Sequence, residues 1–142
     1  TSNGGLAVNV SYRSFDNGSV LDPTRLMQGT NFAIDVKVTN QSGKLIKNIA
    51  LTHLVPSGWE ILDRPLKAKI AGVDLKDIRD DRVLTYFALP PGKTKSFRVR
   101  AHAAYQGLYY LPSVRAEAMY DASAFGQSAA DFVEVLKPSD AF

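Results

Sequence analysis

Apolar and polar residues alternate along several stretches of this chain, and this period of two limits its fold more than any other feature. The clearest stretch is FAIDVKVT, residues 32–39, in which phenylalanine, isoleucine and valine occupy every second position. Successive side chains of a β-strand point to opposite faces of the sheet, so this pattern predicts a strand with one buried face. The spacing of three and four residues that marks a helix is nearly absent. The chain is therefore predicted to be all-β.

Short segments with the same period are separated by turn signals along most of the chain. Predicted strands lie in the segments LAVNVSY, FAIDVKVT, KNIALTHLV, GWEIL, RVLTYFAL, SFRVRAHA, YYLPSVRAEAMY and FVEVL. Residues 64–79 give no clear assignment, and the small residues of DASAFGQSA, 121–129, predict a loop. Seven to nine short strands predict an immunoglobulin- or fibronectin-like antiparallel β-sandwich. Tyr109, two residues after Gly107, suits the tyrosine corner of such a sandwich.

Length and the two termini predict one domain of a larger protein. A chain of 142 residues fits a single domain spanning 1–142, because a domain of this size buries roughly 70% of the surface that its unfolded chain exposes. The start TSNGGL lacks a charged segment followed by an apolar core, and the end LKPSDAF directly follows an apolar run. We therefore expect a fragment of a larger chain, with flexible ends at 1–5 and 137–142.

Cysteine content and charge exclude several kinds of function. The sequence has no cysteine, which excludes disulfides and cysteine-based metal, redox and nucleophile chemistry but does not determine the compartment. The 17 basic and 14 acidic residues are spread along the chain, without the Lys/Arg run that follows a phosphate backbone. No stretch approaches the roughly 20 apolar residues of a membrane span. We expect no nucleic-acid binding and no membrane contact by this domain.

Residue types that could form a metal or catalytic site are scattered. His53 and His102 lie on separate predicted strands, where we expect them to be solvated on polar faces, and two histidines do not complete a zinc site. The densest carboxylates, in DLKDIRDDR at residues 74–82, alternate with lysine and arginine, which favours internal charge pairing over a calcium site. No serine lies in a G-x-S-x-G motif. We therefore predict a domain with no enzymatic activity, no metal site and no cofactor.

Aromatic side chains could form a binding surface, but we expect most of them in the core. Trp59 and most of the six tyrosines occupy apolar positions of predicted strands. Tyr109 and Tyr110 are neighbours on one strand and must point to opposite faces, so that one of them can be exposed.

Met119 and Tyr120 end a predicted strand in the segment AEAMYDASAFG. If Ala116 and Ala118 face the core, Met119 ends the outer, polar row and Tyr120 is free to lean over an edge. Two interpretations are open. Either both side chains plug the strand end beneath a covering loop, residues 121–128, or they face something outside the domain. Strand geometry alone favours the plug.

Several segments read together resemble a known family. The order QGTNFAIDVKVTNQSG, LVPSGWEI, DIRDDRVLTYFALPPGKT, SFRVRA and GLYYLPSVRAEAMYD is similar to the C-terminal macroglobulin-like domain of bacterial α2-macroglobulins. The resemblance runs from about Gln28 to Val135, and its most specific parts are DIRDDRV and LPxVxAEAMYD. The sequence departs from the family pattern at Ser113 and Ala122, where prolines are expected. An alanine leaves the backbone after Asp121 freer than a proline would.

This resemblance implies a non-catalytic domain of a large periplasmic protease inhibitor, a protein often lipid-anchored at its N-terminus. In the family, a separate helical domain carries a thioester within a C-x-E-Q motif, so a chain without cysteine is not the thioester domain. The resemblance implies that Met119, Tyr120 and Asp121 of the AMYD motif shield the thioester until proteases cleave a bait segment. The implied partners are the thioester domain of the same chain and, through the parent, the target proteases.

Two other functions are compatible with the same residues. The domain could be a binding module of a surface adhesin or a carbohydrate-binding protein, using exposed tyrosines or Trp59. It could also be a scaffold domain of a macroglobulin homologue that lacks the thioester, in which Met119 and Tyr120 shield nothing. A C-x-E-Q motif elsewhere in the parent sequence would favour thioester shielding over both alternatives.

Overall fold

The computed structural model describes residues 2–63, 66–68 and 73–138, and nearly all of their regular structure is β-strand. In chain order the strands are β1 (Ser2–Gly4), β2 (Leu6–Ser14), β3 (Arg25–Met27), β4 (Asn31–Asn40), β5 (Ile46–Leu54), β6 (Trp59–Ile61), β7 (Leu66–Ala68), β8 (Leu75–Ile78), β9 (Arg82–Leu89), β10 (Thr94–Ala103), β11 (Gly107–Leu111), β12 (Arg115–Ala118), β13 (Asp121–Gln127) and β14 (Asp131–Leu136). Over these ranges, no helix is long and apolar enough to cross a membrane.

The strands form one large and one small sheet. The large sheet has the order β6-β10-β4-β2-β1-β13-β12-β5-β9-β8-β7. It folds over on itself, because β9 and β10 are far apart in this order yet place the rings of Phe87 and Phe97 only 5.0 Å apart. The small sheet has the order β11-β14-β3, with β11 and β14 antiparallel and β14 and β3 parallel. This arrangement confirms the predicted immunoglobulin-like β-sandwich.

Alternate residues of the central strands fill the space between the layers. The four apolar residues of β4 that the sequence predicts as its buried face, Phe32, Ile34, Val36 and Val38, are all buried. The neighbouring strands add inward rows of the same kind, including Val8 of β2, Ile49 and Leu51 of β5, Phe87 and Leu89 of β9, and Val99 and Ala101 of β10. Each large apolar side chain buried in this way stabilises the fold by roughly 1.5–3 kcal/mol.

The structure corrects two expectations about the strands. The described residues form fourteen strand segments rather than seven to nine, because several three- or four-residue strands pair beside the long ones. Most of 121–129, predicted as a loop from its small residues, is strand β13, which pairs with β12 and β1. Small residues suit this strand because the chain passes close by, and a Cβ added to Gly126 would overlap the backbone of Leu6.

The segment and the ends that the sequence left open are partly described. Within 64–79, the structure has the short antiparallel strands β7 and β8, whereas residues 64–65 and 69–72 lie outside the described residues. At the N-terminus, Ser2–Gly4 pair as β1 with β13 and β2. Residues 1 and 139–142 lie outside the described residues, so the expected flexibility of both ends stays a prediction.

Tyr109 is anchored as a tyrosine corner. Its hydroxyl lies 3.0 Å from the carbonyl oxygen of Tyr105 and 2.9 Å from that of Gln106, to which it donates. Its ring packs directly on Gly58, where an added Cβ would overlap the ring. The geometry predicted from the Gly107-x-Tyr109 spacing is therefore confirmed.

Strand β4 connects the two ends of the sandwich. At its start, the Asn31 side chain contacts the His102 ring at 2.6 Å, near the end of β10. At its far end, the buried Asn40 amide donates to the carbonyl oxygens of Lys44 and Leu89 at 2.7 and 2.8 Å. A ten-residue strand spans about 30 Å. The β4–β5 turn thus lies at the opposite end of the domain from the end of β10.

Candidate interdomain surface

A two-residue turn joins β12 to β13. Strand β12 ends at Ala118, strand β13 begins at Asp121, and these two residues pair with each other. Met119 and Tyr120 form the turn between them. The alternation of side chains between the two faces therefore ends at Ala118, directly before the turn. Met119 and Tyr120 then need not point to opposite faces.

Both side chains of the Met119–Tyr120 turn are exposed. The exposed fraction is 49% for Met119 and 84% for Tyr120. Ala116 and Ala118 are buried, so the predicted inward row of β12 is confirmed. The residues expected to cover the pair form β13 instead of a covering loop. The strand-end plug is therefore not what the chain forms.

The backbone opposite the turn is held in an uncommon conformation. Asn48 of β5 has a φ of 56°, in the left-handed region that asparagine tolerates better than most residues. The pairing of β5 with β9 shifts register between Ile46 and Ile49, so Asn48 lies at an irregularity of the strand. Its carbonyl oxygen accepts a hydrogen bond from the Met119 amide at 2.9 Å. This bond holds the first residue of the turn against β5.

Asp121 braces the other side of the turn. Its Oδ1 accepts hydrogen bonds from the Ser123 hydroxyl at 2.6 Å and from the Ser123 amide at 3.1 Å. These bonds, with a smaller attraction from Lys44, hold the pKa of Asp121 below its ordinary value. The Lys44 ammonium lies 4.0 Å from Asp121 Oδ2. Asp121 therefore stabilises the backbone after the turn and pairs it with the β4–β5 turn.

An open cleft of about 290 Å³ lies beside Tyr120. Lys44, Leu45 and Lys47 border it on the β4–β5 side, and Tyr120 and Asp121 border it on the other. Leu45 is exposed like Met119 and Tyr120. An open, shallow surface that mixes apolar and charged side chains suits contact with a protein face better than enclosure of a small substrate.

The two histidines occupy unlike environments. His102 contacts Asn31 at the surface. His53, expected to be solvated, is only 3% exposed, because residue 53 falls on the same inward row of β5 as Ile49 and Leu51. Burial lowers the pKa of His53 to about 4, so its ring is neutral at pH 7. The sequence pattern missed this because histidine was assigned to the polar face by residue type rather than by register.

Two of the four carboxylates of residues 74–82 pair with arginines of the same segment. Asp77 Oδ2 lies 3.0 Å from the Arg79 guanidinium, and Asp81 Oδ1 lies 3.0 Å from Arg82 Nε. The predicted internal charge pairing is confirmed for these two carboxylates. Within the part of the chain that the structure describes, no three His, Cys, Asp or Glu residues lie close enough to hold a metal ion.

The aromatic residues divide between core and surface. Trp59 is buried as predicted, against Phe32 at a ring distance of 5.0 Å. Tyr105, Tyr110 and Tyr120 are exposed, so the expectation that most of the six tyrosines lie in the core is wrong. The exposure of one member of the Tyr109–Tyr110 pair is as predicted. Sequence reasoning also missed an exposed apolar group on β11 and β14, because it forms only when the register of the two strands is known.

Comparison with known proteins decides the family. Residues 5–122 match the family model of the bacterial alpha-2-macroglobulin MG10 domain. The chain belongs to this family. The match extends over the Met119–Tyr120 turn of this MG10 domain and includes Asp121.

The relatives of the MG10 domain are much longer chains. Alpha-2-macroglobulin of Rickettsia conorii is 25% identical over an alignment of 126 residues that covers 82% of this chain and 6% of that protein. The structure of Escherichia coli alpha-2-macroglobulin activated by porcine elastase superposes with a TM-score of 0.82 at 21% identity, over 96% of this chain and 13% of that one. Salmonella alpha-2-macroglobulin reacted with methylamine gives a TM-score of 0.79 at 20% identity, over 97% of this chain and 9% of that one.

Proposed function

We propose that this domain is a non-catalytic, C-terminal part of a bacterial α2-macroglobulin-type protease inhibitor, in which it packs on the thioester domain of the same chain. In this proposal the Met119–Tyr120 turn shields the thioester, with Asp121 holding the turn in shape, until protease cleavage rearranges the parent. The observation that carries the proposal is the pair of large, exposed side chains on a braced two-residue turn in an MG10 domain.

The chemistry of the two side chains suits this role. A thioester is lost to water and to small amines, and a thioether next to an aromatic ring excludes both while offering no strong nucleophile. Tyr120 is the more exposed of the two, so it would cover the larger part of the bond. The chain has no cysteine, so the thioester belongs to another domain of the parent.

The treatments under which the structures of two relatives were determined support the proposal. The Salmonella protein was reacted with methylamine, a small amine, and the Escherichia coli protein was activated by elastase, a protease. Both treatments are those expected of a protein with an amine-sensitive bond that responds to proteolysis. For the parent of this domain we propose attacking proteases as its targets and, from the family resemblance alone, the periplasm as its location.

The test is a substitution of Tyr120 in the full-length parent. We expect Tyr120→Gly to increase the rate of methylamine uptake and to lower protease capture, because removal of the ring opens a path to the thioester. Tyr120→Phe keeps the ring and should behave like the wild type. Uptake is measured with radiolabelled methylamine, and capture by the fraction of added protease that becomes linked to the parent.

A second exposed tyrosine provides the matched control. Tyr105→Ala removes a side chain of similar chemistry outside the turn and should change neither rate. If Tyr120→Gly leaves both methylamine uptake and protease capture at the wild-type level, the turn does not shield a thioester. If the parent takes up no methylamine at all, the domain is a scaffold in a homologue that has lost the bond.

A further inference from the structure

A second exposed apolar surface lies on the small sheet. Leu108 and Tyr110 of β11 and Phe132 of β14 are exposed by 69%, 55% and 60%, and we name these three residues the β11–β14 patch. Tyr110 and Phe132 pair directly across the two strands, with their rings 5.6 Å apart in an edge-on arrangement. The patch is therefore one continuous surface rather than three isolated side chains.

Charged residues border the patch on the same face of the sheet. Glu134 pairs with Leu108 on one side and with Arg25 of β3 on the other, and paired residues of neighbouring strands share a face. An apolar centre with aromatic rings and a charged border is the composition typical of the centre and rim of a protein interface. Three large apolar side chains expose an area on the order of a few hundred Å², the size of the largest apolar patch on a typical monomer, which is often functional.

The patch lies away from the Met119–Tyr120 turn. Next to the start of β11, the Gln28 side-chain amide donates to the carbonyl oxygen of Ala104 at 2.8 Å, and the Gln28 backbone amide donates to that of Leu136 at the end of β14. This part of the small sheet therefore lies near the beginning of β4. The Met119–Tyr120 turn lies beside the turn that follows the end of β4. The other end of the small sheet, with Tyr110 and Phe132, is followed by Val114 and preceded by Ser128, which are hydrogen-bonded to each other at the end of β12 and β13 opposite the turn. A partner on the patch is thus a separate contact from one on the turn.

We infer that the β11–β14 patch docks a second domain of the same parent chain, which presents an apolar surface to Tyr110 and Phe132. The relatives carry this domain as 6–13% of much longer chains, so most of the parent lies outside this domain. A tethered domain is present at an effective concentration on the order of millimolar, which favours it over a second copy of the molecule. The contact requires no thioester and is independent of the function proposed for Met119 and Tyr120.

Hydroxyl-radical footprinting of the full-length parent tests this contact, since tyrosine and phenylalanine rings react when water reaches them. Leu108→Glu places a charge in the centre of the patch at a side chain that contributes little to the domain core. We expect this variant to increase labelling of Tyr110 and Phe132 several-fold over the wild type. Leu62→Glu, at another exposed leucine, is the matched control and should leave the labelling of both rings unchanged.

Each outcome decides between the possible occupants. If Leu108→Glu increases the labelling of Tyr110 and Phe132 at every concentration of the parent and Leu62→Glu does not, the occupant is a domain of the same chain. Protection of Tyr110 that disappears on dilution together with a dimer mass identifies a second copy and overturns the inference. Equal labelling of Tyr110 in wild type and in Leu108→Glu means that the patch is open to solvent in the parent, which also overturns it.

Discussion

Two pairs of adjacent bulky residues, Tyr109–Tyr110 and Met119–Tyr120, are similar in sequence but differ in structure. Strand β11 continues through the first pair, so Tyr109 packs inward on Gly58 and Tyr110 points outward. Strand β12 ends before the second pair, so both members are exposed. Alternation therefore holds only while a residue is paired in a ladder, and a turn can expose two neighbouring side chains together.

Substitutions of Tyr109, which is packed, and Tyr120, which is exposed, should differ most in their effect on the free energy of unfolding. Tyr109→Ala removes a ring packed on Gly58 and a hydroxyl bonded to backbone carbonyls, and we expect a loss of about 3–5 kcal/mol in the free energy of unfolding. Tyr120→Ala removes an exposed ring and should change it by less than about 0.5 kcal/mol. Urea denaturation of the 142-residue chain measures both. Equal effects would show that the turn is packed in solution.

The two histidines, one buried and one at the surface, should differ in how they make the stability of the domain depend on pH. Burial lowers the pKa of His53 from 6.5 to about 4, so the folded state resists protonation and the unfolded state does not. This stabilisation is complete above pH 6.5 and is lost as the pH falls toward 4, by up to about 3 kcal/mol. Burial is the cause of the lowered pKa, and Lys76 and Arg98 line the same small cavity as the His53 ring.

Denaturation midpoints measured between pH 7 and pH 4 test this dependence. His53→Leu should reduce the loss of stability across that range, whereas His102→Gln should leave this loss as in the wild type. The carboxylates with lowered pKa values, such as Asp81 and Asp121, lose their contribution to stability only below about pH 5, so they add to the loss only at the acid end of this range. A wild-type slope in His53→Leu would assign the acid sensitivity to other groups.

The smallest expected effect concerns the backbone that holds the Met119–Tyr120 turn. Asn48→Val places a β-branched residue at a φ of 56° and should cost about 1–2 kcal/mol, while Asn48→Gly should be close to neutral. If the irregularity of β5 at Asn48 positions the turn, Asn48→Val should also change the hydrogen exchange of the Met119 amide, which donates to the Asn48 carbonyl oxygen. Unchanged exchange of the Met119 amide in a folded Asn48→Val variant would show that the conformation of Asn48 does not position the turn.

The sequence predicted the elements whose signal is local. Residues 32–39 form a regular strand with the expected buried face, and Tyr109 forms the expected corner, because alternation and short spacing act within one strand. Thioester shielding by Met119 and Tyr120 came from a family resemblance and stays a proposal. The exposure of that pair could not be predicted by alternation, since it depends on where β12 stops pairing.

The remaining features depended on neighbours distant in sequence. The small residues of 121–127 form a strand because β1 and β12 lie on either side of it, and the β11–β14 patch forms because Tyr110 pairs with Phe132. By itself, the sequence determined the all-β class and the composition of the core, because a period of two leaves no other way to bury those side chains. Only the tertiary structure decided which side chains form the Met119–Tyr120 turn and the β11–β14 patch, because register and pairing are set between strands and not along them.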